Sequence, residues 1–155
     1  MTQNTYMMQA LQEAKSAAAR GEVPVGALIV YKDEIISMQS NRVIELKDPT
    51  AHAELLAIRE ACEKMGYERL IDCDIYVTLE PCPMCATAIS FGRIKTVYYG
   101  TPDPKGGGIH HGPQVYSHTT CHHRPQVVPG ILQPGCSDIL TSFFKSLRQG
   151  KKDKF

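Results

Sequence analysis

No stretch of the sequence is apolar for long enough to cross a bilayer. Met1 to Ala10 is polar and lacks the apolar core and small-residue cleavage site of a secretory leader. A cytoplasmic protein with no membrane partner is expected. A strong charge of either sign is missing too. The 17 Lys and Arg nearly cancel the 16 Asp and Glu, leaving a formal net charge of +1, which counts against a polynucleotide substrate. The local exception is Lys145, Arg148, Lys151, Lys152 and Lys154, opposed only by Asp153. A solvated helix end whose cations complement the dipole is preferred there over a track for a phosphate backbone. There is no internal repeat.

What is present fits one domain. At 155 residues the chain can bury a real core but has no length for a separate substrate module. We read 1–150 as a single domain and 151–155 as a basic C-terminal tail. A chain of this size does not need disulfide staples, so Cys62, Cys73, Cys121 and Cys136 are expected as reduced thiols.

Apolar periodicity predicts an amphipathic helix from Thr2 to Arg20, stopped by Gly21. A hairpin follows, with strands Val25 to Tyr31 and Ile35 to Ser40 around the turn Lys32-Asp33-Glu34. Asp48-Pro49 reads as the cap and first position of a helix running to Gly66. Asp74 to Leu79 is a strand, Cys82 to Phe91 a helix and Lys95 to Tyr99 another strand. Thr101 to Pro129, rich in glycine, proline and histidine, has no convincing period and is expected as a long loop at a substrate or interface region. Ser137 to Gln149 closes the chain as a helix. Alternating strands and helices predict an α/β fold: three layers, α/β/α, around a central mixed sheet of about five strands.

The chemistry lies in two short motifs. In Pro81-Cys82-Pro83-Met84-Cys85 the thiols sit three residues apart at a helix start, where both face one side of the first turn. Such a pair grips a metal ion, but it also serves as a redox couple or as half of a structural zinc knot. In His52-Ala53-Glu54 the two polar side chains do not share a helix face, so they converge only end-on at a helix N-terminus. By itself His52 reads as a core or cap histidine. H-x-E followed by P-C-x-x-C is the signature of zinc nucleobase deaminases, matched here rather than derived. His52, Cys82 and Cys85 are therefore taken as ligands of one Zn2+ per subunit. Three ligands leave the fourth tetrahedral position open, as in catalytic rather than structural sites. Zinc brings a water near neutrality, and Glu54 carries protons from it to a ring nitrogen and then to the departing amine. A backbone N–H at either helix start, from Ala53 or Cys82, is a candidate contact to the base.

With both motifs in place, the chain resembles the cytidine-deaminase-like superfamily and, within it, the bacterial tRNA-specific adenosine deaminases. The likeness also runs through Glu22-Val23-Pro24-Val25-Gly26-Ala27, Ser40-Asn41-Arg42, Asp48-Pro49-Thr50, Tyr76 to Glu80, Arg93-Ile94, His123-Arg124 and Phe143-Phe144. Histidine as first ligand argues against the free cytidine deaminases, and the Asp-Pro-Thr lead-in with the double phenylalanine favours the tRNA branch. The resemblance implies deamination of adenosine to inosine at the wobble position of a tRNA anticodon stem-loop, by a homodimer. It also implies that Asn41 contacts the flipped-out nucleotide. The likeness weakens at Gly106-Gly107-Gly108-Ile109-His110-His111. Together with His118, His122, His123 and Cys121, these histidines read as a polar interface in preference to a second metal site. The alternatives are a free nucleobase deaminase acting on guanine or cytosine, and a non-enzymatic zinc-stabilised nucleic-acid-binding module. Glu54 argues against the latter, because a structural zinc has no use for it.

Overall fold

The computed structural model describes the backbone of residues 1–153 and the side chains up to residue 150. Helix α1 (Gln3–Ala19) starts at Thr2, whose hydroxyl accepts the Thr5 N–H at 3.2 Å. Strands β1 (Gly26–Tyr31) and β2 (Glu34–Ser40) form the expected hairpin. Beyond them lie α2 (Val43–Leu46), α3 (Ala53–Met65), β3 (Cys73–Leu79), α4 (Pro83–Phe91), β4 (Thr96–Thr101), a 3-10 turn at Val115–Ser117, β5 (Gln126–Val128) and α5 (Gln133–Asp153).

The sheet order is β2-β1-β3-β4-β5, antiparallel at the first two pairings and parallel at the last two. Alternate residues of each central strand face opposite layers, as strand geometry requires. Ala27, Ile29, Ile75, Val77, Val97 and Tyr99 pack with α3 and α4, whereas Leu28, Val30, Tyr76 and Tyr98 pack with α1 and Cys136 of α5. The expected three layers around a five-stranded mixed sheet are thus present.

Local boundaries differ where side chains found other partners. Asp48 does not cap a helix: its carboxylate accepts the Thr50 N–H at 2.8 Å and the Thr50 hydroxyl at 2.7 Å, forming a turn. Helix α3 begins later, at Ala53, with His52 as N-cap. The short helix α2 escapes periodicity because its first turn is held from afar. The buried carboxylate of Glu22 accepts the N–H groups of Ile44 at 3.1 Å and Glu45 at 2.9 Å. The stretch 101–129 contains β5, which exists through its pairing with β4 and not through a pattern of its own. Helix α5 starts four residues before the expected Ser137, because Pro134 and Gly135 fall in its first turn, where the helix needs few N–H donors. That helix continues to Asp153, so residue 150 lies inside it. The side chains of Lys151 and Lys152, and all of Lys154, lie outside the described residues.

At Gly26, α1 rests almost directly on β1. A Cβ there would overlap the Ala10 carbonyl oxygen and come within 2.8 Å of the Ala14 nitrogen. Gly26→Val is therefore expected to destabilise the fold by about 1–3 kcal/mol through overpacking. Urea denaturation measures this; an unchanged midpoint would show that α1 accommodates the side chain.

Candidate active site

The two motifs meet at two helix starts. His52 and Cys82 are the N-caps of α3 and α4, both in extended conformation, with φ/ψ of −74°/151° and −68°/170°. Their side chains therefore leave the helix ends instead of lying along the flanks. Cys85 occupies the first turn of α4, and Pro83 at the opening position fits because the missing N–H would have had no helical acceptor. His52 Nδ1 stands 3.6 Å from Cys82 Sγ and 3.5 Å from Cys85 Sγ. All three donor atoms lie within 4.8 Å of one another.

These distances test a tetrahedral ion directly. Zn–N near 2.0–2.1 Å and Zn–S near 2.3 Å at tetrahedral angles set an N···S separation of about 3.6 Å. Both N···S separations thus match those of a tetrahedral zinc site. Their electrostatics agree. Hydrogen bonding from Cys85, supported by His52, outweighs burial and holds the Cys82 thiol down at about 4. Sharing with Cys82, together with burial, pushes Cys85 far up. The contact with Cys82 raises His52. A cluster that concentrates negative charge on sulfur at a helix N-terminus is prepared for a dication.

Glu54, in the first turn of α3, is buried at 4% exposure. Burial is the main force that lifts its carboxyl to about 7, with the Cys82 charge adding to it. A carboxyl at that value gives and takes protons near neutral pH. Asn41, after β2, is buried at 8%, and its Oδ1 accepts the Ala53 N–H at 2.8 Å. That donor is therefore committed within the protein. What Ala53 does is fix the Asn41 amide.

A cavity of about 590 Å³ lies over these groups, lined among others by Asn41, His52, Glu54, Cys82, Asp103 and Phe143. Val23, Leu79, Asp103 and Gly106 also line a second cavity of about 640 Å³, which carries Lys105 and Arg148. Sequence reasoning missed Glu80. It is 1% exposed and accepts hydrogen bonds from Asp103, Ile109, His110 and His111. Burial alone would raise its carboxyl, but these donors outweigh it and hold it below the usual range. The available signal was a carboxylate just past the end of β3 and directly before Pro81-Cys82.

The histidine-rich segment divides among separate partners. His110 Nδ1 lies 2.5 Å from the Tyr99 hydroxyl, His111 Nδ1 2.7 Å from Glu80, His118 Nε2 2.6 Å from the Pro113 carbonyl and His123 Nε2 2.7 Å from the Ile94 carbonyl. Among the described residues, His52, Cys82 and Cys85 are the group placed to hold a metal.

Sheet order, paired helix starts and a buried carboxylate beside the donors define a deaminase of the cytidine-deaminase-like class. The model of the MafB19-like deaminase family matches residues 1–148. The tRNA-specific adenosine deaminase of Agrobacterium fabrum is 50% identical over 149 residues, covering 96% of this chain and 98% of its own. A structure solved in studies of A-to-I editing by tRNA:A34 deaminases at the wobble position of transfer RNA superposes with a TM-score of 0.88 at 51% identity, over 89% of this chain and all of that one. A Bacillus subtilis guanine deaminase reaches a TM-score of 0.64 at 42% identity over 66% of each chain. This chain belongs to the family of bacterial tRNA-specific adenosine deaminases.

Cys85→Ala removes one of three donors and should leave the purified protein with well under one zinc per chain by atomic absorption. Stoichiometric zinc in that variant would contradict the ligand assignment.

Proposed function

We propose that the protein hydrolyses adenosine to inosine at the wobble position of a tRNA anticodon, releasing ammonia, with one zinc held by His52, Cys82 and Cys85. The metal, when bound, supplies Lewis-acid activation of water at neutral pH. Glu54 does the proton work. Its carboxylate takes a proton from the water that attacks the amino-bearing ring carbon and delivers it to the adjacent ring nitrogen, then takes the second proton from the added hydroxyl and passes it to the leaving amine as the C–N bond breaks. Burial near neutrality lets one group act in both directions.

Asn41 orients the base. With Oδ1 engaged by Ala53, its amide nitrogen remains to donate to a ring acceptor. Ala53 thus acts on the substrate through Asn41. The observation that carries the RNA reading is that the catalytic cavity adjoins the one bearing Lys105 and Arg148, the two sharing Val23, Leu79, Asp103 and Gly106 as lining. A flipped-out nucleotide needs an opening for its backbone on both sides, with cations near the phosphates. Deamination of a free guanine or cytosine needs no such outlet.

The wider reading is a cytoplasmic homodimer acting on tRNA. Among the described residues no helix is long and apolar enough to cross a membrane. Phe91, 73% exposed beside a groove of about 280 Å³ on α4, is apolar surface that a second subunit would cover.

Inosine formation in an anticodon stem-loop, measured beside ammonia release from free guanine and cytosine, tests this function. Rapid turnover of a free base with no inosine in the RNA would defeat it. Glu54→Gln should retain zinc and fold while losing about 10²–10⁴-fold in kcat, the usual share of a general acid–base; near-normal turnover would remove Glu54 from the mechanism. Asn41→Asp still accepts the Ala53 N–H but has no donor left for the base. It should lower kcat/KM by about tenfold or more with zinc intact, and an unchanged kcat/KM would take Asn41 out of base recognition.

A further inference from the structure

We propose that Glu80 is a positioning residue whose buried carboxylate fixes the loop of residues 103–111 as a wall of the catalytic cavity, setting how tightly RNA is held. The inference rests on the RNA deaminase reading above. Its basis is how completely one side chain organises that loop. Oε1 accepts the Asp103 N–H at 3.0 Å and stands 2.7 Å from His111 Nδ1. Oε2 accepts the N–H groups of Ile109 at 3.2 Å, His110 at 2.9 Å and His111 at 3.1 Å. Both oxygens are thus spent on the protein, so Glu80 has no lone pair to offer a base. Its own N–H donates to the Thr101 carbonyl at 2.9 Å, anchoring it to the end of β4.

The loop closes tightly on this anchor. Asp103 Oδ1 accepts the N–H groups of Lys105 at 3.2 Å and Gly106 at 3.0 Å, and its carbonyl accepts that of Gly107 at 2.9 Å. Gly108 donates to the Pro81 carbonyl at 2.8 Å. A Cβ on Gly107 would collide with the Glu80 carboxylate, and one on Gly108 would lie 2.6 Å from the Pro83 nitrogen at the start of α4. The glycines are there because the loop lies against the carboxylate and the metal-motif helix. Asp103 and Gly106, held in this way, form the boundary shared by the two cavities, and Lys105 projects from the same turn. Release of the anchor lets that boundary wander without touching Glu54 or the zinc donors. The cost falls on ordering the loop when substrate binds.

Glu80→Gln separates this role from a general structural one. An amide oxygen at the Oε2 position keeps the Ile109, His110 and His111 bonds, and the His111 ring can present its other tautomer, but the amide nitrogen faces the Asp103 N–H with nothing to accept it. For the anticodon stem-loop we expect KM to rise about fivefold to tenfold with kcat within about twofold. Zinc should stay at one per chain, and trypsin should cut after Lys105 faster than in wild type. His111→Ala removes a single side-chain donor and should shift KM the same way by less, and it serves should the glutamine variant fail to fold. An unchanged KM in both variants, a fall in kcat at constant KM, or loss of zinc from Glu80→Gln would overturn the proposal. A wild-type protein that makes no inosine would instead sink the RNA reading, and the tryptic rate at Lys105 would still report on the clamp.

Discussion

The rest of the site depends on two helix starts being held end to end. His52 and Cys82 are thirty residues apart in sequence and 3.6 Å apart in space, with Cys85 3.5 Å from the same imidazole nitrogen. Both helices lie on one face of the sheet. Small residues make that approach possible: Ala53, Ala57 and Ala61 form the fully buried stripe of α3, and Ala86 is fully buried in α4. Alanines at this spacing bring a helix axis close to the strands beneath it. Larger side chains there would lift α3 and carry His52 away from the thiols.

Converging helix ends also set the charge of the site. Two N-termini direct partial positive charge at one point, which favours thiolate on Cys82 and, with a dication in place, a negatively charged attacking oxygen. Burial of Glu54 works in the opposite sense, pushing its carboxyl up to about 7. Groups that titrate apart within a few ångströms have different tasks, and here one set holds metal while the other moves protons.

The part of this legible in sequence was the part written in local spacing. The H-x-E and P-C-x-x-C motifs, the β1–β2 hairpin and the alternating order of strands and helices follow from neighbours a few residues apart. What stayed hidden depends on partners far along the chain. Glu22 holds the start of α2 from twenty-two residues away, and Glu80 holds a loop up to thirty-one residues on. Strand β5 takes its identity from β4. Asp48 shows the converse: a residue with cap chemistry that satisfied itself within its own turn. Even within the Gly106-Gly107-Gly108 run, which looked like a departure from the family, Gly107 and Gly108 occupy the space that Glu80 and Pro83 leave.

The choice between a bare base and a polymer comes down to what α5 does above the zinc donors. Phe143 and Leu147 of that helix line the catalytic cavity, while Phe144, on its neighbouring face, lines the adjoining one and stays 41% exposed. Had α5 packed down over β1 and α3, those apolar side chains would have closed the cavity into an enclosed pocket suited to a small ring. Instead the helix stands as an apolar partition with Arg148 near its far end and Lys105 across from it. Apolar surface flanked by cations suits stacked bases joined by phosphates, because each base offers a π face and each linkage a charge. The near-zero net charge of the chain is no obstacle, since binding of a few nucleotides draws on the field of the local groove and not on the total.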